Sequence, residues 1–138
     1  MATPYFTKIN EAPVKTMRLE RGRTIRLVDP ELAGSRHIDL HINEIKVDSG
    51  PGPTHYHERS ENIYIVLEGT VVVEIEGTRH TFGPNDVAFI PPGVRHRAGN
   101  GGDTVARVIE IYAPPGPDFH IVDDNGGPTG GGAGGGGR

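Results

Sequence analysis

The strongest constraint on this chain is its punctuation: short runs rich in Val, Ile and Tyr are cut every few residues by Gly, Pro, Asn or Asp, and few stretches sustain a helical period. That pattern predicts an all-β chain of many short strands, hence a barrel or a sandwich. Strands are predicted near 24–28, 37–47, 54–58, 62–67, 70–76, 78–82, 87–90, 95–99 and 104–112. Turns fall at Asp48 to Gly52, Glu68-Gly69, Glu76-Gly77, Gly83 to Asp86 and Pro91-Pro92-Gly93, where Gly admits positive φ and Pro fixes its own. Glu68-Gly69 and Glu76-Gly77 read as hairpin turns. A chain of 138 residues has room for one core and one compact domain.

Gly126 to Arg138 is almost all glycine; it has little to bury and much backbone entropy to lose, so a disordered tail is predicted there. It follows no strand and carries no Lys-Ser/Thr pair, unlike a phosphate-binding loop. The preceding DFHIVDD is apolar enough to lie against the body. The chain therefore divides into N-terminal strands and an arm (1–36), a barrel core (37–115), a C-terminal extension (116–125) and the tail (126–138). The net charge is −4 and the Lys and Arg residues are scattered, so no basic footprint for nucleic acid is present. No apolar run reaches signal-peptide or membrane-spanning length, and the expected compartment is the cytoplasm, with no membrane partner. There is no cysteine, so a metal would have to be held by His, carboxylate or amide oxygen.

His55 and His57 flank Tyr56, and on a strand of period two their imidazoles leave the same face. His96 follows the rigid Pro91-Pro92-Gly93 turn, which aims it back toward the barrel. Three neutral imidazoles suit one divalent ion, Fe, Mn, Zn, Ni or Cu; the rival reading is a pair of exposed strand histidines near an unrelated third. Arg95 and Arg97 should point away from the side that His96 faces. His37, His80 and His120 fit no motif and read as surface residues.

Over about half its length the chain resembles the cupin superfamily. The first motif of that family is matched by Gly50-PGPT-His55-Tyr-His57-ERSE-Asn62-IYIVLE-Gly69 and the second by Asn85-DVAFI-Pro91-Pro92-Gly93-VR-His96-RAG-Asn100. The resemblance implies a double-stranded antiparallel β-barrel of jelly-roll form, often dimeric, with a metal near its open end on the motif histidines. Two positions depart from the family pattern. Asn85 stands where the family has glycine, and Asn is the residue that best tolerates left-handed backbone after it. Asn62 stands where the family's fourth ligand, a glutamate, is usual, with Glu61 one place early. Strand parity puts Asn62, Tyr64 and Val66 inward and leaves Glu61 at the rim; a bulge before Asn62 would instead swing Glu61 onto the metal.

An ion held by three histidines and at most an amide oxygen keeps its full double charge and favours small anionic chelators such as carboxylates, enolates or catecholates. The resemblance adds that such sites often support dioxygenase-type cleavage, while isomerases, lyases and cyclases share the barrel. Tyr64 is read as a catalytic or substrate-orienting group, or as a plain wall aromatic. His41 and Asn43 share one face of their strand and either line the cavity, as substrate-binding groups, or face solvent. The leading expectation is a metal-dependent enzyme on a small, oxygen-rich anionic substrate. Its rivals are a non-catalytic, sugar-like binding protein and a metal-free dehydratase or cyclase using His and Tyr. Ile63, Ile65 and Leu67, on the face opposite Tyr64, lead to the expectation of a homodimer.

Overall fold

A computed structural model describes residues 3–122. The strands are β1 (Val14–Thr16), β2 (Gly22–Val28), β3 (Asp39–Ile45), β4 (His55–Tyr56), β5 (Glu61–Glu68), β6 (Val71–Ile75), β7 (Thr78–Phe82), β8 (Val87–Ile90), β9 (His96–Asn100), β10 (Ala106–Ala113) and β11 (His120–Ile121). They form two antiparallel sheets, one ordered β1-β2-β3-β10-β5-β8 and the other β11-β4-β9-β6-β7. The protein is all-β in the jelly-roll arrangement. The short β1 and β11 add to the strands expected from the pattern, as does a one-turn helix, α1 (Pro30–Ala33). Among the described residues no helix is long and apolar enough to cross a membrane. The glycine-rich tail expected over 126–138 lies outside the described residues.

Alternation dictates what each face buries. Asn62, Tyr64 and Val66 of β5 point between the sheets, as do Ala106, Val108, Glu110 and Tyr112 of β10. Of these, Tyr64, Val66, Ala106 and Val108 pack with Met17, Ile45, Val71, Val73, Ala88 and Ile90 in the main core. The six-stranded sheet buries a second set on its outer side, where Ile25, Leu27 and Ile42 are covered by Ala12 of the N-terminal arm.

The two turns read as hairpins behave differently. Glu76 and Gly77, both at positive φ (48° and 82°), join β6 to β7 as neighbours in one sheet. Glu68-Gly69, in contrast, carries the chain from the six-stranded sheet to the other, because β5 pairs with β10 and β8 and never with β6. A glycine is needed there for close approach: a Cβ on Gly69 would lie 2.8 Å from the Val105 carbonyl oxygen. Asn85 takes the left-handed conformation, φ 74°.

Candidate metal centre

Three elements bring the histidines together. β4 supplies His55, the residue after β4 supplies His57, and His96 opens β9 directly across from His55 in the antiparallel pairing. The Pro91-Pro92-Gly93 turn is tied to the same place, since the Gly93 N–H donates to the His57 carbonyl at 2.6 Å. All three imidazoles are buried, with ring centroids 4.4 to 5.3 Å apart. One ring nitrogen from each lies within 4.8 Å of the others.

The outer contacts of the rings decide which nitrogen is offered. Nδ1 of His55 donates to the Pro53 carbonyl at 2.8 Å, Nδ1 of His96 to Val94 at 2.9 Å and Nδ1 of His57 to Asp118 at 2.8 Å. A carbonyl only accepts, so each Nδ1 carries the hydrogen and each Nε2 keeps its lone pair. Burial, reinforced by the neighbouring imidazoles, holds His55 well below its usual pKa and brings His96 down to about 4. His96 Nε2 is buried without a hydrogen-bond partner. Nδ1 atoms held by carbonyls and three converging ring nitrogens fit a divalent ion. Phe119 stacks flat on His55, centroids 3.9 Å apart, so the C-terminal extension orients two of the three rings.

The other residues singled out in the sequence separate into distinct places. Asn62 is fully buried; its Nδ2 donates to Glu110 Oε2 at 3.2 Å and to the Ile111 carbonyl at 3.1 Å, while its Oδ1 has no hydrogen-bond partner. Glu61 is exposed and stands outside the histidine cluster. Tyr64 and Asn43 line a small, open-mouthed cavity of about 40 Å³ beside the triad, reached by His55. Burial first, and then Glu110, push the Tyr64 hydroxyl well above its usual pKa near 10. His41 is buried behind the cavity wall, its Nε2 2.7 Å from Glu110 Oε1 and its Nδ1 2.8 Å from Asp39 Oδ1. His37 and His80 are exposed, but His120 is half-buried: it stacks on Tyr56 and meets Asp118 at 2.7 Å, because β11 lays it against β4.

Sequence reasoning missed Glu110 and Arg21. Glu110 is a buried carboxyl in the cavity wall that accepts from Asn43 and Asn62. Glu110 thus puts a carboxyl beside the histidines without joining their cluster. The signal was present in the alternation of Ala106, Val108, Glu110 and Tyr112, one acid on an otherwise apolar inward face. Arg21 lies in a segment without strand periodicity, and nothing in the order RLERGR marks it as buried.

A two-sheet jelly roll with three converging, buried imidazoles defines a small β-barrel protein with a candidate metal site. Residues 43–112 match the cupin domain family (Cupin_2), and the chain belongs to that family. It is 29% identical over 129 residues to tetracenomycin polyketide synthase protein TcmJ of Streptomyces glaucescens, covering 88% of this chain and 83% of TcmJ. It is 33% identical over 92 residues to auxin-binding protein ABP19b of Prunus persica, a match covering 61% of this chain but only 44% of that longer protein. Among solved structures, the polyketide cyclase RemF from Streptomyces resistomycificus superposes with a TM-score of 0.71 at 22% identity, over 82% of this chain and 83% of that one.

Proposed function

We propose that this cupin is a metal-dependent enzyme that rearranges or closes a ring in a small, oxygen-rich, enolisable anion. The observation that carries the reading is the triad itself: three buried imidazoles, each with Nδ1 committed to a carbonyl, converge beside an open-mouthed cavity. A divalent ion held by His55, His57 and His96 supplies Lewis acidity toward a carbonyl or enolate oxygen. The chain's own residues supply the rest. Tyr64, kept protonated by burial and by Glu110, orients the bound molecule from the cavity wall as a neutral hydroxyl. Met17, Val71, Val108 and Phe119 make that wall largely apolar and exclude water from an enolate. The similarity to TcmJ over nearly the whole chain supports a polyketide-like substrate.

Metal analysis of untagged protein tests the reading, with His57→Ala and His96→Ala beside it. Stoichiometric divalent metal in the parent and its loss from both variants are expected. A parent that stays metal-free after incubation with iron, manganese, zinc and nickel would overturn it. Non-catalytic ligand capture is the second reading, supported by the likeness to an auxin-binding protein; binding by metal-loaded protein with no change in the ligand, followed by mass spectrometry, would establish it instead.

A further inference from the structure

We propose that Arg21 is the anion-recognition residue of the cavity, pairing with a carboxylate or enolate of the ligand. This rests on the reading of the cavity as the substrate site, but not on the metal. Arg21 is 8% exposed and lines the cavity. Its guanidinium is permanently charged and carries five N–H donors. Among the described residues it makes one hydrogen bond, from Nη1 to the Ala98 carbonyl at 3.2 Å, while Nε is buried without a partner. No described carboxylate lies within ion-pair distance of it, although the same chain pairs Arg26, Arg97 and Arg107 with acids. A buried guanidinium this poorly satisfied is costly to the free protein, and an anionic oxygen entering the cavity would relieve the cost.

The surroundings are built to hold the group there. Leu19 and Glu20 both take positive φ (59° and 53°), a conformation that neither favours, and the turn they form delivers Met17, Arg18 and Arg21 to the cavity. The turn is clamped on both sides: the Met17 N–H donates to the Gly22 carbonyl at 2.9 Å and the Lys46 N–H to the Arg21 carbonyl at 2.8 Å. Gly52, two residues before the first-motif Thr54, leaves room for the guanidinium; a Cβ there would come within 2.9 Å of Arg21 Nη2 and 3.0 Å of Cζ. Arg18, exposed at the cavity rim beside Phe119, adds positive charge on the approach. Met17, Ile45, Val71 and Phe119 of the same wall give apolar contact to the rest of the ligand, while the planar fork of Arg21 suits a carboxylate.

The test is calorimetric titration of full-length protein with 1-naphthoate and with its neutral isostere 1-naphthamide. Zinc-loaded and chelator-stripped samples are compared, and the metal content of each is measured. In stripped parent protein, naphthoate is expected to bind at least ten-fold more tightly than the amide. Arg21→Gln should abolish that preference, while Arg21→Lys, which keeps the charge but loses the planar fork, should keep the preference with weaker binding. Circular dichroism checks that both variants fold; if Arg21→Gln does not, Gly52→Ala, which displaces the guanidinium, replaces it and should reduce the preference. Equal binding of acid and amide by the parent, binding of neither at millimolar concentration, or an undiminished preference in Arg21→Gln would each overturn the proposal. A parent that takes up no metal on loading yet discriminates through Arg21 would overturn the metal reading and leave this one standing.

Discussion

His96 is kept neutral by burial, and this has a consequence for stability as well as for ligation. Its folded pKa is about 4, against 6.5 in the unfolded chain, so between those values the unfolded state binds a proton that the native state refuses. The stability of metal-free protein should therefore fall as pH drops from 6.5 toward 4, by about 3 kcal/mol from this residue, and stay level above 6.5. His55 shifts in the same direction and steepens the slope. Urea midpoints across that range check it, and His96→Gln should flatten the curve; an unchanged slope would mean that His96 does not carry it. Glu110 is the other residue with a wide reach, since His41, Asn43 and Asn62 all meet its carboxyl. Glu110→Leu strands those buried polar groups and should cost about 3 kcal/mol of unfolding free energy, since breaking a buried network leaves its partners uncompensated. Glu110→Gln, which preserves an acceptor, should cost less.

Among the elements, the C-terminal extension contributes most beyond its length. β11 pairs with β4, the Val122 N–H donates to the Thr54 carbonyl at 2.9 Å, and between them Asp118 and Phe119 hold His57 and His55. Ending the chain after Gly116 should leave the barrel folded by circular dichroism yet weaken metal affinity by roughly 10- to 100-fold, the usual effect of losing groups that orient ligands. Competition against a chelator measures it, and unchanged affinity would show that the rings hold themselves. Most of the strands were legible because period-two alternation and Gly or Pro turns are local properties. β1 and β11 were not: each is two or three residues long, too short to show a period, and each exists only because a neighbour offers hydrogen bonds. The helix α1 did leave a signal, with Asp29 capping Leu32, Pro30 in the first turn and Gly34 closing it, but one turn is easily lost among strand patterns. Parity placed Asn62 on the buried face and Glu61 on the exposed one.

For the molecule as a whole, the outer side of the six-stranded sheet is covered at one end by the N-terminal arm and, among the described residues, left bare at the other. Val87 and Phe89 of the edge strand β8 are 58% and 52% exposed, and they pair across to Ile65 and Ile63 of β5. We propose that a second copy of the chain covers this apolar stripe, since a bare edge strand with large apolar side chains favours association. Light scattering should return a dimer for the parent and a monomer for Phe89→Glu, at little cost to the fold because the position is already exposed. A monomeric parent would remove the idea.

The sequence by itself determined the barrel class, the turn at Asn85, the inward parity of β5 and the identity of the three histidines, because each depends on residues a few places apart. Tertiary structure alone decided what meets them. The register of β10 places Glu110 across from Tyr64 on one side and His41 on the other. The strained turn at Leu19 and Glu20 carries Arg21 into the cavity, and the returning chain end brings Asp118 and Phe119 onto the imidazoles. Those partners lie tens of residues apart along the chain, and only strand pairing and core packing select which of the many possible encounters occurs.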